Sequence, residues 1–78
     1  MQRAGEVRSI AQGLLVVRCF ASDPPSIGAR VVDERLEQVG TVVDVFGPVD
    51  RPYLAVSPTG SPAPAGLIGE RLYVREDR

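Results

Sequence analysis

Four carboxylates, Asp33, Glu34, Glu37 and Asp44, lie close together in this chain. Acidic side chains at such spacing could share acid–base work or hold Mg²⁺. The same residues end or interrupt apolar segments, where Asp and Glu bond to nearby backbone and face water. Turn capping and surface charge are therefore the simpler reading, and a small chain offers no deep cleft to raise a carboxyl pKa. The sequence contains no histidine, and every basic residue is arginine. That removes the commonest general base and all Schiff-base chemistry. A single cysteine, Cys19, forms no internal disulfide, and no Cys/His spacing suits zinc. It ends an apolar run, so a buried, inert thiol is expected. The glycines form neither GxGxxG nor GxxxxGK[ST]. The expectation is a protein that is not an enzyme and takes no cofactor and no metal.

The aromatic residues carry more. Residues 39–56, VGTVVDVFGPVDRPYLAV, read as two strands around a turn rich in Gly, Pro and Asp. Strict alternation puts Val39, Thr41, Val43 and Val45 on one face and Gly40, Val42, Asp44 and Phe46 on the other. On the second strand Leu54 and Val56 oppose Tyr53, Ala55 and Ser57. With the more apolar faces inward, Phe46 and Tyr53 stand outside on either side of the turn, where a docking partner would explain them. A bulge at Gly47 would reverse the facing and make Phe46 core. The residues alone leave both readings open.

These residues need a scaffold, and the rest of the chain reads as short strands. GEVRSI (5–10), LLVVRC (14–19), RVVD (30–33), the two strands above and RLYV (71–74) are separated by turn signals roughly every ten residues. No helix-period segment of useful length and no internal repeat occur. Residues 34–38 are expected to form a connection of one helical turn, with Leu36 tucked beneath it or offered to a partner. The pattern predicts an all-β fold, a single small six-stranded closed or nearly closed barrel occupying residues 1–78. Closure removes unpaired strand edges. The expected core is Val7, Leu14, Val16, Val31, Val39, Val43, Val45, Leu54, Val56 and Leu72. SPTGSPAPAG (57–66) is expected to be a flexible loop and residues 75–78 a frayed end.

The chain has 78 residues, a net charge of −1 and a hydrophobic fraction of 44%. It is long enough for one modest core and not disordered by composition. No apolar run approaches a membrane span, and the opening MQRAGEVRSIAQG lacks an h-region. A cytoplasmic, non-membrane protein, monomeric when isolated, is expected. The arginines are scattered among acidic neighbours, which argues against a phosphate-neutralising stripe.

At Arg30 to Val56 the sequence resembles the glycine/arginine-rich-type core subunit of H/ACA ribonucleoproteins, in its compact archaeal form. The matching features are RVVD, VGTVVDVFGPV and PYLAV. Gly5 to Arg18 and GERLYV (69–74) fit the opening and closing strands, so the resemblance covers nearly the whole chain. D-x-FGPV-x-x-PY is its specific part; VG-x-V-x-D also recurs in barrels of the photosynthetic-reaction-centre type. The resemblance implies a translation-factor-barrel-like fold and a regulatory subunit that docks on the pseudouridine synthase, the dyskerin homologue. It implies help with loading and releasing substrate RNA during rRNA pseudouridylation in ribosome biogenesis. RNA would be met only indirectly, and any RNA contact provided by the glycine/arginine-rich tails of eukaryotic members is expected to be missing here. The docking residues implied are Phe46, Gly47, Pro48, Val49, Pro52 and Tyr53, with Leu36, Val39 and Gly40 beside them. Two other readings remain, a barrel that binds RNA directly and a reaction-centre-type ligand or assembly barrel.

Overall fold

Apolar residues alternate with polar ones along most of the chain, and the backbone answers with strands. The computed structural model describes residues 2–20, 23–59 and 64–75. The strands are β1 (Gln2–Ala11), β2 (Leu14–Cys19), β3 (Arg30–Val32), β4 (Gln38–Phe46), β5 (Tyr53–Pro58) and β6 (Arg71–Arg75). They close into an antiparallel barrel in the order β1-β2-β5-β4-β3-β6. No described residue is α-helical; a 3₁₀ turn covers Pro64–Leu67 and its Leu67 plugs the core.

Two long strands make closure possible. β1 pairs with β6 through its first half and with β2 through its second, and β4 does the same with β3 and β5. Each strand bends where its two ladders overlap. In β4 that point is Gly40, which pairs with Val31 on one side and Pro58 on the other. A Cβ there would run into the Ser57 carbonyl oxygen and lie 2.8 Å from Val56 Cγ1. Only glycine lets β5 come this close.

The bulges set which residues point inward. β4 carries an extra residue at Val43, between the pairs Val42–Val56 and Asp44–Ala55. The bulge therefore sits at Val43 and not at Gly47. It turns Val42 into the core and leaves Val43 exposed, which corrects the expected core at that pair. Phe46 keeps the outward facing, opposite the inward pair Val45–Leu54. β2 also has the opposite phase from that expected. Leu15, Val17 and Cys19 are buried, whereas Leu14 and Val16 are half-buried on the outer face with Arg18. A continuous apolar run has no internal phase, and the charged Arg18 is what faces water.

Inside lie Val7, Leu15, Val17, Val31, Val42, Leu54, Val56 and Leu72, each at most 1% exposed. Ala4, Cys19, Val39, Leu67 and Val74 complete the cluster. The segment expected as a loop at 57–66 is shorter than that. Ser57 and Pro58 belong to β5 and residues 64–67 form the 3₁₀ turn, while 60–63 lie outside the described residues. At the chain end Arg75 closes β6, and 76–78 lie outside the described residues.

Candidate docking surface

The β4–β5 connection is short because Pro48 to Arg51 folds as a tight turn. Arg51 N donates to the Pro48 carbonyl at 3.3 Å, with Val49 and Asp50 at the tip. Gly47 enters the turn at φ 91°, a left-handed conformation that a β-carbon strongly disfavours. A Cβ there would also lie 2.9 Å from Tyr53 Cδ1. The turn leaves through Pro52, whose carbonyl accepts from Cys19 N on β2 at 3.0 Å. Both ends of the knuckle are thus tied to the barrel.

Phe46 and Tyr53 face each other across the β4–β5 ladder and stack, with centroids 5.7 Å apart and planes at 19°. The stack fixes both rings on the outer wall. Phe46 is 44% exposed and Val49 91%; Gly47 and Pro48 are exposed beside them. Tyr53 is half-buried, between Phe46 on one side and Arg18 of β2 on the other. The presented surface is therefore one ring face, a proline and a valine tip.

Four other expected contact residues lie apart from this surface. Pro52 is buried in the exit of the turn, so it shapes the knuckle from beneath. Val39 is buried in the core and Gly40 is packed against β5; their side-chain positions face the interior and offer a partner nothing. Leu36 is 60% exposed but belongs to the connection before β4, at the far end of that strand from Phe46.

The Leu36 connection is built by Asp33, which is 3% exposed. Its Oδ1 accepts from Arg35 N at 2.9 Å and Glu37 N at 3.0 Å. Leu36 N donates to the Asp33 carbonyl and Asp33 N to the Glu37 carbonyl, both at 3.0 Å. The carboxylate is a turn cap, as the sequence suggests, but a buried one. The loop holds Leu36 at φ 67°, a strained position for a bulky residue. Among the described residues no group of three or more His, Cys, Asp or Glu could hold a metal ion. Burial raises the Cys19 thiol pKa above its ordinary value of 9.0.

The sequence reading missed the company that Tyr53 keeps. Around the outer wall the ladders align Arg71, Glu6, Arg18, Tyr53 and Phe46 on consecutive strands. The one charged residue of LLVVRC was the available signal for this row, because it marks the outward phase of β2.

The profile of the Gar1/Naf1 RNA binding region matches residues 1–77. A solved structure described as the Gar1 domain of Naf1 superposes on 94% of this chain and 79% of its own, with a TM-score of 0.71 and 17% identity. At that identity the likeness speaks to the barrel alone. No curated protein matches the chain in sequence.

Proposed function

The chain belongs to the Gar1/Naf1 RNA-binding-region family, and from that premise we propose that it is a non-catalytic subunit of an H/ACA ribonucleoprotein that docks on the pseudouridine synthase. An association with H/ACA ribonucleoproteins in general is what membership carries. The docking step is argued from the knuckle. A ring, a proline and a valine are presented on a turn whose two ends are hydrogen-bonded or stacked in place. Little conformational freedom remains to be lost on binding, so the apolar area translates efficiently into affinity. Apolar anchors of this kind commonly dominate an interface.

The subunit would act on loading and release of substrate RNA through the synthase, with the chemical step left to that enzyme. Its absence then slows multiple turnover more than single turnover. The observation that carries the reading is the outward Phe46–Tyr53 stack beside the exposed Val49. The test is co-purification of the Phe46→Asp variant with an RNA-guided pseudouridine synthase, alongside a thermal melt. Loss of the synthase with a cooperative melt retained supports docking. Retention of the synthase refutes it. Tyr53→Ala is the poorer probe, because that ring is half-buried and its removal disturbs the wall itself.

A further inference from the structure

The hairpin that joins β3 to β4 carries an unexpected residue at its tightest point. Leu36 N donates to the Asp33 carbonyl and Asp33 N to the Glu37 carbonyl, so residues 34–36 make a three-residue loop. Such loops end on a left-handed residue, and glycine is the ordinary choice there. This chain places a leucine at that point, at φ 67° and 60% exposed. Both the conformation and the exposure count against it in the free chain. Strain kept at an exposed apolar side chain points to a use outside the fold.

Leu36 stands beside a hollow of about 380 Å³ that it lines with Asp33, Glu34 and Tyr73. The Tyr73 side chain belongs to the outer face of β6, between the inward Leu72 and Val74. Its ladder partner Val32 is 2% exposed without being part of the core cluster, so apolar surface continues on the outside of the barrel here. The walls of the hollow are thus one aliphatic and one aromatic side chain, and its charged groups are both carboxylates. Asp33 is buried, with Oδ1 occupied by two backbone N–H groups. Its Oδ2 has Arg35 Nη2 at 3.9 Å, beyond hydrogen-bond distance. The Arg35 side chain is 79% exposed and reaches Glu37 at 4.0 Å as well, so neither pair holds it firmly. Arg3 and Arg71 line a separate hollow that shares only Tyr73 with this one.

We propose that this hollow docks an extended protein segment through one arginine or lysine with an apolar neighbour. The aliphatic stem lies on Leu36 and Tyr73, and the charged head meets Glu34 and Asp33 Oδ2. The apolar neighbour covers what remains bare of Leu36. Charge complementarity chooses the occupant, because the carboxylates repel a phosphate backbone and an acidic peptide alike. Leu36 lies at the other end of β4 from Phe46, so this is a second protein contact that does not rest on docking at the knuckle.

The test is an NMR titration of the ¹⁵N-labelled full chain with the peptide acetyl-GLRLG-amide, and with the same peptide carrying glutamate for arginine. The arginine peptide should shift the amides of residues 33–37 and 71–75 saturably and bind about tenfold tighter than its acidic counterpart. Leu36→Asn removes the apolar knob and suits the left-handed position. It should weaken binding about tenfold and leave the melting midpoint within about 4 °C of the parent or above it. Glu34→Gln should weaken binding about threefold and reduce its salt dependence. Phe46→Asp should bind the peptide as the parent does, which separates this contact from the knuckle. Absence of saturable shifts overturns the proposal, as does equal binding of the acidic peptide or by the Leu36→Asn variant. A midpoint lowered by more than about 4 °C in Leu36→Asn also overturns it, since the leucine would then be held for the fold. Shifts of the same amides on dilution of the chain alone would make a second copy the occupant and overturn the choice of partner.

Discussion

Val49→Ala separates the knuckle's role in binding from any role in folding. The side chain is 91% exposed, so it contributes almost nothing to the barrel. Removing it should leave stability within about 0.5 kcal/mol, a melting shift of no more than about 4 °C for a domain this size. At an interface the same two methyl groups count fully. At about 0.8 kcal/mol each, nine-tenths of which is still available for burial, the loss is about 1.5 kcal/mol. That is about tenfold in Kd. Phe46→Ala gives an internal comparison. With 44% of a ring side chain of about 200 Å² still open, about 90 Å² remains for a partner, or about 2 kcal/mol. Unlike Val49, Phe46 also loses its stack on Tyr53, at about 1 kcal/mol of stability. Calorimetric titration against the purified synthase reads the binding terms, and a thermal melt of the free chain reads the folding terms. A Val49→Ala variant that binds within twofold of the parent refutes the reasoning, because a tip so exposed has no other claim on the energy.

Asp33→Ala should cost about 2–3 kcal/mol in a urea titration, because the carboxylate accepts from two backbone N–H groups in one loop; Asp33→Asn, which keeps one acceptor oxygen, should cost less, and an Ala variant as stable as the parent would show that the cap is dispensable. The Cys19 thiol should be unreactive toward a disulfide reagent at pH 8 in the native chain and react fully in denaturant. Because its folded pKa is raised, its contribution to stability is complete below its unfolded value and is lost as pH climbs beyond about 9, when the unfolded thiol ionises first. Comparison with Cys19→Ala isolates that loss, and identical pH curves for the two would contradict the assignment.

Strand content was legible because β-branched residues and turn residues alternate along the chain; β2 falls on the residues expected, and β3, β4 and β6 differ by a residue at one end. Facing was legible only where polar residues mark the phase. In β5 Leu54 and Val56 alternate with Tyr53 and Ser57, and the inward set follows directly. In β4 one of four valines is the bulge residue, and period-2 counting fails at Val43 because nothing in the residue types says which valine is extra. Phe46 still came out facing water, since the bulge lies upstream of it and shifts the first half of the strand. The hollow beside Leu36 was illegible for another reason. Leu36 and Tyr73 lie far apart in sequence, and only the β3–β6 ladder brings them to one wall.

The ring is sealed by its last-made member. β6 bridges β1 and β3, so residues 71–75 join strands that begin at residues 2 and 30. A chain emerging from the ribosome therefore carries five strands with no way to complete the cylinder until residues 71–75 are free. Such distant pairings place maturation in the millisecond-to-second range. During that interval β1 and β3 expose unfulfilled amides, and a chain cut before Arg71 would keep them bare for good and be drawn into strand exchange with its neighbours. Once β6 is in place, the second halves of β1 and β4 still pair on one side only, so that is where a passing backbone could add to the wall.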